Sequence, residues 1–262
     1  MSTSDSPVLL ERQGAIAFLT FNRAPQLNAI DPALATQLRD HAVTVSKDES
    51  VRCVVLRGKG RAFMAGGDLS VFHAAPTPQT AHSIIVPLHE AMRLLTTLPV
   101  PVIASLQGAV AGAGFSVALA ADLALAADDL SMTLAYTLIG ASLDGSSSYF
   151  LPRMVGLRKA MEFAFLSPKI DAAEALRLGL VNRVVPADKL EAETLALAEK
   201  LAAGPTHAYG RSKRLLRDSS GRDLVAQLDA ELKAFARGTE TGDFREGIDA
   251  FLGKRKAKFT GR

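Results

Sequence analysis

Two glycine-rich stretches contain the first residues of the chain that could do chemistry. One runs from Gly60 to Asp68 and the other from Gly108 to Gly114. Glycine lets a backbone approach a ligand closely, and unpaired N–H groups at the start of a helix favour negative charge. Two such turns could direct two backbone donors at one developing oxyanion. The alternative is that the glycines only permit tight turns and close packing, and either turn alone leaves both interpretations open.

Asp144 is the acid of most chemical interest in the sequence. It lies among small and apolar residues between Leu138 and Leu151, and no basic residue follows it until Arg153. In such a setting desolvation can raise the pKa of a carboxylate, which would suit it to moving a proton. The alternative is that Asp144 is the N-cap of the helix that follows, and the sequence context by itself favours that alternative.

The remaining motifs predict neither a metal site nor a bound cofactor. His82 and His89 could share one face of a helix, but no two histidines have the short spacing of metal ligands. No Gly-x-Ser-x-Gly motif surrounds Ser116 or the serines at 146–148, so a serine nucleophile is not predicted. Residues 112–117 lack the third glycine of a dinucleotide fingerprint.

The positive charge of the chain is concentrated at its C-terminus. The 262 residues include 30 Lys+Arg and 27 Asp+Glu, and five of the basic residues lie in the last nine positions. Without those five, residues 1–253 have a net charge of −2. A body that binds nucleic acid needs a basic face, so this class is disfavoured. We expect the basic residues at 211–217 and 254–262 to lie on solvated helix faces.

Composition and targeting signals predict a soluble cytoplasmic protein with no membrane partner. The chain is 48% hydrophobic and 22% charged, which is typical of a globular core. The single cysteine, Cys53, lies in an apolar run and is expected in the core, and it indicates a reducing compartment or a protein indifferent to redox conditions. Residues 1–7 have no signal-peptide pattern, and the apolar stretch 108–121 is too short to span a membrane.

The first half of the chain alternates predicted strands and helices. A first helix begins at Asp31, a capping residue followed by proline, and a second spans about 80–98 with Pro87 inside it. The second glycine-rich stretch opens a third helical run that reaches Ala121. This alternation predicts an α/β layered core. The predicted strands cover residues 8–12, 15–21, 51–57, 102–106 and 123–126.

The second half of the chain is predicted to be helical, with one possible strand over 182–185. An apolar stripe at Leu224, Leu228 and Leu232 needs a partner surface and predicts oligomer contacts. We therefore expect a core over residues 1–200 and a helical oligomerisation region over 201–262 that does not fold independently. Three acid pairs have capping-box spacing: Asp171/Glu174, Asp188/Glu191 and Asp243/Glu246.

Six stretches of the chain form an ordered set of motifs: residues 21–29, 60–69, 101–122, 151–156, 172–181 and 246–251. Together they resemble the crotonase (enoyl-CoA hydratase/isomerase) superfamily over essentially the whole chain. The resemblance implies a spiral of ββα turns, a homotrimer or a dimer of trimers built by the C-terminal helices, and a coenzyme A thioester as substrate with no separate cofactor.

The resemblance also assigns roles to individual residues. Gly67 and Ala113 are implied to supply the two N–H groups of an oxyanion hole for the enolate of the thioester, and a backbone donor survives the change from the family's usual glycine to Ala113. Lys256, Lys258 or Arg23 would meet a phosphate of coenzyme A, with the tail lying near coenzyme A bound to a neighbouring subunit. Substrate-binding positions are implied at Arg23, Ala24, Leu27, Ala65, Gly66, Asp68, Leu69, His89, Gly112 and Tyr136.

The positions of acidic residues differ between members of the family that catalyse different reactions. Family hydratases have two glutamates at the positions that hold Ser116 and Tyr136 here, and hydration needs both a base and an acid. Asp144 lies where an aspartate acts in phenylacetate-pathway isomerases, dienoyl-CoA isomerases and 4-chlorobenzoyl-CoA dehalogenase. The resemblance therefore implies an acyl-CoA isomerase in which Asp144 shuttles a proton and the oxyanion hole stabilises an enolate.

Three alternatives to an isomerase stay open at this point. One is an enoyl-CoA hydratase. Another is a dehalogenase-like displacement with Asp144 as nucleophile and His89 assisting, although Tyr136 stands in place of that enzyme's tryptophan. The third is a scaffold that binds coenzyme A or RNA without catalysis, and the weakly charged body disfavours RNA.

Overall fold

A computed structural model describes residues 6–262, and its larger sheet confirms the predicted strands to within two residues at each end. The strand order is β1-β2-β3-β5-β7-β10, and β1 and β2 form the antiparallel pair while the other neighbours are parallel. Helices cover both faces of such a sheet, so its inner strands are apolar on both sides. The six strands are β1 (Val8–Gln13), β2 (Ile16–Phe21), β3 (Cys53–Gly58), β5 (Val102–Leu106), β7 (Leu123–Ala127) and β10 (Arg183–Val185).

A second, smaller sheet was not predicted from the sequence. Its order is β4-β6-β8-β9, and β4 and β6 lie inside the two glycine-rich stretches. Successive turns of the chain add a strand to each sheet and then a helix, which confirms the expected spiral of ββα turns. These four strands are β4 (Ala62–Met64), β6 (Ala109–Ala111), β8 (Ser131–Thr133) and β9 (Ile170–Asp171).

The helices begin largely where the sequence predicts. The Asp31 carboxylate accepts the N–H of Leu34 at 2.8 Å and caps α1, and Pro87 lies inside α3 as expected. In the described part of the chain, no helix is long and apolar enough to cross a membrane. Residues 1–5 of the polar N-terminal stretch lie outside the described residues. The helices are α1 (Pro32–Ser46), α2 (Leu69–Ala74), α3 (Pro78–Thr97), α4 (Ala113–Ala120), α5 (Ser147–Val155), α6 (Leu157–Leu166), α7 (Ala172–Arg177), α8 (Leu190–Ala202), α9 (Thr206–Asp218), α10 (Leu224–Thr239) and α11 (Gly242–Leu252).

Of the three acids with capping-box spacing, Asp171 is confirmed as an N-cap, although the Glu174 carboxylate binds Arg177 and does not close the box, and the other two acids are not caps. Asp171 accepts the N–H of Glu174 at 2.8 Å and caps α7. Asp188 instead lies in a 3-10 helix before α8, whose N-cap is Lys189. Asp243 lies inside α11, where Thr241 is the cap. The Asp243 carboxylate accepts N–H groups of residues 260–261, because the C-terminal segment folds back onto the start of this helix.

The core lies on both sides of the larger sheet. Val54 and Leu56 of β3 face the larger cluster, and Cys53 and Val55 face the smaller one, as the two-residue period of a strand requires. Cys53 is fully buried, which confirms its predicted place, and burial raises the pKa of its thiol to about 12. The larger cluster includes side chains of α1, α3 and α4, so it supports the elements that hold the glycine-rich turns.

The prediction that residues 211–217 form a solvated basic face is wrong for two of them. The side chain of Lys213 is only 9% exposed, and its ammonium lies 2.7 Å from the Asp122 carboxylate. Arg217 lies 2.7 Å from the other oxygen of Asp122. The Lys213 ammonium also donates to the carbonyl groups of Leu95 and Val100. These contacts dock α9 onto the core.

Candidate active site

The two glycine-rich turns touch each other through their backbones. A Cβ built on Gly66 would lie 3.1 Å from the carbonyl oxygen of Ala111 and 3.6 Å from the Cα of Gly112. Both glycines have positive φ angles, 107° and 51°, which side chains disfavour. Gly67 follows Gly66, and Ala113 follows Gly112. The structure therefore places the two predicted oxyanion donors on adjacent turns.

The N–H groups of Gly67 and Ala113 have no partner in the turns and caps around them, among the residues that the structure describes. Gly112 is the N-cap of α4 and Ala113 is its first residue. An N–H group in the first turn of a helix has no partner within the helix and lies at the positive end of the helix dipole. Both donors are therefore suited to an oxyanion.

The loop at residues 23–28 is attached to the first glycine-rich turn. The carbonyl of Leu27 accepts the Ala65 N–H at 3.0 Å. The buried Asn28 side chain donates to the carbonyl groups of Ala62 and Phe63, at 2.8 and 3.1 Å. No local sequence pattern predicts this role for Asn28, although a buried amide at the end of a loop is a suitable anchor. The loop thereby places Leu27 beside the turn that contains Gly67.

Arg23 and Asp68 bind each other as part of this anchoring. The Arg23 guanidinium lies 3.1 Å from the Asp68 carboxylate and 3.2 Å from that of Asp31. Asp68 caps α2, where the Ser70 hydroxyl and the Arg23 guanidinium hold the pKa of Asp68 below its ordinary value. Two carboxylates already surround Arg23, and its contact with a coenzyme A phosphate stays a prediction.

Asp144 has a partner that its sequence neighbourhood does not contain. The Nε2 atom of His89, on α3, lies 2.6 Å from Oδ1 of Asp144. The Asp144 side chain is 19% exposed and that of His89 is 54% exposed. The alternative that Asp144 caps a helix is wrong, because α5 has Ser146 as its N-cap and the Asp144 carboxylate binds the imidazole instead.

The backbone of Asp144 is held as closely as its side chain. Its carbonyl oxygen lies 2.8 Å from the Ser116 hydroxyl, 2.9 Å from that of Ser147 and 3.2 Å from that of Tyr136. The sequence contains no local signal for these contacts, because Ser147 is one serine in a run of three. Burial raises the pKa of the Tyr136 phenol well above its ordinary value, so this hydroxyl stays protonated.

Ser116 connects Asp144 to the oxyanion turn. The Ser116 N–H donates to the Gly112 carbonyl, which places Ser116 in the first turn of α4 with Ala113. The two residues are three positions apart, or about 4.5 Å along a helix axis. Since the Ser116 hydroxyl touches the Asp144 carbonyl, the structure brings Asp144 to the helix end that presents the Ala113 N–H.

A cavity of about 1160 Å³ opens beside Asp144 and His89. Met92 and Leu143 contribute apolar surface near the carboxylate, while Gly67 and Ala113 do not line the cavity. Among residues 6–262, no three His, Cys, Asp or Glu side chains lie together where they could hold a metal ion. The cavity leaves open space next to the Asp144 carboxyl group. The cationic residues that line it are Arg93, Arg153, Lys213, Arg214 and Arg217.

The other predicted site residues lie in three places. Ala24 lies in a 3-10 helix at residues 24–26, and Leu69 is the exposed first residue of α2. Lys256 and Lys258 are exposed on the returning C-terminal segment, where the Lys258 N–H donates to Glu246. Neither lysine side chain forms an ion pair within the described part of the chain, and their binding to phosphate stays a prediction.

The arrangement of this site agrees with a comparison to known protein families. A family model described as Enoyl-CoA hydratase/isomerase matches residues 11–262. The chain belongs to the enoyl-CoA hydratase/isomerase family. The match includes both glycine-rich turns, Asp144 and the C-terminal helices, and it confirms the predicted crotonase resemblance.

Named relatives of this family member span several reactions. The chain is 33% identical to the 1,2-epoxyphenylacetyl-CoA isomerase of Escherichia coli (strain K12), over 97% of this chain and 98% of that protein. It is 30% identical to 4-chlorobenzoyl coenzyme A dehalogenase-2 of an Arthrobacter species, over 97% and 93%. A crystal structure of an enoyl-CoA hydratase from Polaromonas sp. JS666 superimposes with a TM-score of 0.92 at 33% identity, over 96% and 99% of the two chains. The protein is an enzyme of this family, and membership alone does not select one of these reactions.

Proposed function

We propose that this enzyme is an acyl-CoA isomerase that converts a 3-enoyl-CoA to a 2-enoyl-CoA, or isomerises a ring-epoxide acyl-CoA. The observation that supports it is that Asp144 supplies a carboxylate at this site, while the positions of the hydratase glutamates hold Ser116 and Tyr136, whose hydroxyl groups contact the main-chain carbonyl of Asp144. A 1,3 proton shift needs one group that accepts and returns a proton, whereas hydration needs a base and an acid. The relative named 1,2-epoxyphenylacetyl-CoA isomerase supports the ring-epoxide form and a place in phenylacetate catabolism.

In the proposed reaction, two backbone N–H groups bind the substrate and one carboxylate moves the proton. The N–H groups of Gly67 and Ala113 donate to the thioester oxygen of the bound coenzyme A ester. The carboxylate of Asp144 removes a proton from C2, and the electrons of the C–H bond form an enolate whose charge lies on that oxygen. Protonated Asp144 then gives the proton to C4, and the double bond moves from C3–C4 to C2–C3. Each oxyanion donor of this kind contributes a factor of roughly 10²–10³ to the rate.

Turnover of trans-3-hexenoyl-CoA tests this proposal. Asp144→Asn keeps the size of the side chain but cannot accept the proton, so we expect kcat to fall by about 10³-fold. The measurement is the ultraviolet absorbance of the conjugated product. Asp188→Asn, an exposed acid in the 3-10 helix before α8, is the control and should keep the wild-type rate. Equal rates in the wild type and Asp144→Asn would contradict the proposal.

The contact between His89 and Asp144 favours a second candidate, displacement at an aryl-CoA. The Asp144 carboxylate would attack the ring carbon, the carbon–chlorine bond would break with release of chloride, and an aryl ester would form. Water activated by His89, 2.6 Å from Asp144, would hydrolyse that ester to the hydroxyaryl-CoA and free Asp144. Chloride release from 4-chlorobenzoyl-CoA, lost in both Asp144→Asn and His89→Gln, would select this reaction over isomerisation.

We also propose that residues 201–262 form the contacts of a homotrimer or a dimer of trimers. On α10, Leu224, Leu228, Leu232 and Phe235 follow one stripe, and each is more than half exposed in the single chain. Large exposed apolar patches on a soluble chain usually mark an interface. In such an assembly, Lys256 and Lys258 would meet the phosphates of coenzyme A.

A further inference from the structure

The main-chain carbonyl of Asp144 has several polar contacts to which the proposed reaction gives no role. Hydroxyl groups of Ser116, Tyr136 and Ser147 and the N–H of Ser147 lie between 2.8 and 3.2 Å from its oxygen. The Ser116 and Tyr136 hydroxyl groups are also 3.0 Å apart. A carbonyl oxygen has two lone pairs, so this oxygen has more neighbouring donors than a typical carbonyl.

The backbone after Asp144 would not hold this position by its own preferences. Gly145 and Ser146 both have left-handed conformations, with φ angles of 61° and 76°. For Ser146 this conformation is unfavourable, since it has a side chain. Gly145 also lies against α4, where an added Cβ would come within 2.8 Å of the Ser116 Cβ. The contacts to α4 and Tyr136 therefore hold the loop in place.

We propose that Ser116 and Tyr136 are positioning residues that act through Asp144. They fix the Asp144 peptide so that its carboxylate can reach both C2 and C4 of the acyl chain. This inference rests on the proposed isomerase function. The two positions that hold glutamates in the family's hydratases thus hold hydroxyl groups that orient a carboxylate from another loop.

The two ends of Asp144 are held by different groups. Its carbonyl is held by Ser116 and Tyr136, and its Oδ1 atom by the exposed His89. An aspartate side chain has only two torsions, so fixing the peptide and one carboxylate oxygen leaves the other oxygen little freedom. In the proposed reaction C2 lies one bond from the carbonyl carbon that the oxyanion hole holds, whereas C4 lies three bonds away. We therefore expect a shifted carboxylate to lose its reach toward C4 before it loses its reach toward C2.

This geometry predicts a change in the fate of the proton. Asp144 breaks the C2–H bond, and because its side chain is 19% exposed, we expect its new O–H to exchange with solvent before the proton is returned. In D₂O, return to C2 gives deuterated 3-hexenoyl-CoA, and delivery to C4 gives 2-hexenoyl-CoA. The measured quantity is the amount of C2 deuterium in the recovered substrate divided by the amount of product formed. It compares return of the proton to C2 with delivery to C4 from the same enolate. That ratio does not change with the fraction of enzyme that is folded.

The test uses Ser116→Ala and Tyr136→Phe in the full-length enzyme with trans-3-hexenoyl-CoA. We expect each substitution to lower kcat about tenfold, with KM within about threefold of wild type, because misplacement of a catalytic group affects the chemical step more than binding. The exchange-to-product ratio should rise about threefold or more. Matched controls are Ser105→Ala, a buried serine bonded to Thr194 at 3.0 Å, and Tyr209→Phe on α9; both should keep the wild-type ratio.

A wild-type ratio in Ser116→Ala and Tyr136→Phe overturns this inference, even if kcat falls. If Ser116→Ala does not fold, Tyr136→Phe decides, since Tyr136 is only partly buried whereas Ser116 is fully buried. Asp144→Asn separates this inference from the proposed function. Suppose that Asp144→Asn loses both exchange and product, while Ser116→Ala and Tyr136→Phe keep the wild-type ratio. That result would contradict the positioning role and would still support the isomerase function. Full exchange and product in Asp144→Asn would overturn both.

Discussion

Gly114 is a residue at which the two glycine-rich stretches are in close backbone contact. A Cβ at this position would lie 2.2 Å from the carbonyl oxygen of Met64, which belongs to β4. Backbone atoms cannot move aside as the end of a side chain can, so the contact requires glycine. The same contact sets the distance between the turns that present Gly67 and Ala113.

Gly114→Ala tests this requirement, because two effects predict opposite signs. Helix propensity alone favours alanine in α4 by about 1 kcal/mol. The clash with Met64 outweighs it, and we expect the free energy of unfolding to fall by about 2 kcal/mol. Urea denaturation measures the change. Gly221→Ala, where an added Cβ meets nothing within 4 Å, should stay within about 0.5 kcal/mol. A Gly114→Ala enzyme as stable as wild type would show that the turns can separate.

At the scale of elements, α9 is docked by a carboxylate that serves two cations. Asp122 follows α4 and lies 2.7 Å from both Lys213 and Arg217. Burial lowers the pKa of Lys213 below its ordinary value of 10.5, and the Asp122 charge opposes that shift. The basic residues Lys213 and Arg217 of α9 thus face the core, although the sequence pattern alone predicts that they face solvent.

Asp122→Asn should therefore destabilise the fold by about 3 kcal/mol at pH 7, because it leaves the Lys213 ammonium buried without a carboxylate. The folded-state pKa of Lys213 then falls further below 10.5, so the unfolded state binds more protons and stability rises with pH. We expect the deficit to shrink between pH 7 and 10 in urea titrations. Asp218→Asn, whose exposed carboxylate pairs with Arg222, should change stability by about 0.5 kcal/mol or less. A deficit that is constant with pH would argue against a charged Lys213 as the cause.

At the scale of the whole molecule, the exposed apolar stripe of α10 predicts association. We expect sedimentation velocity to show a species of three or six times the 27.7 kDa chain mass. Leu232→Glu places a charge on the stripe and should dissociate that species. Ala226→Glu adds the same charge to the opposite face of α10 and should leave it intact. A monomeric wild type would overturn the oligomer proposal.

The sequence by itself determined the features that depend on neighbouring residues or on ordered motifs. Strands of five or six mostly apolar residues, such as β2 and β5, show themselves by composition, and Asp31 followed by proline marks the start of α1. The order of the motifs identified the family and pointed to Gly67, Ala113 and Asp144. These signals are local, so they are readable without knowing how the elements pack.

Only the tertiary structure decided the rest. The second sheet was missed because strands of two or three residues are too short to show a period. His89 and Asp144 are 55 positions apart, and their contact exists because α3 packs beside the loop before α5. Ser116 and Tyr136 meet the Asp144 carbonyl for the same reason. Contacts between distant residues depend on how the elements pack in three dimensions, and no single stretch of sequence contains that information.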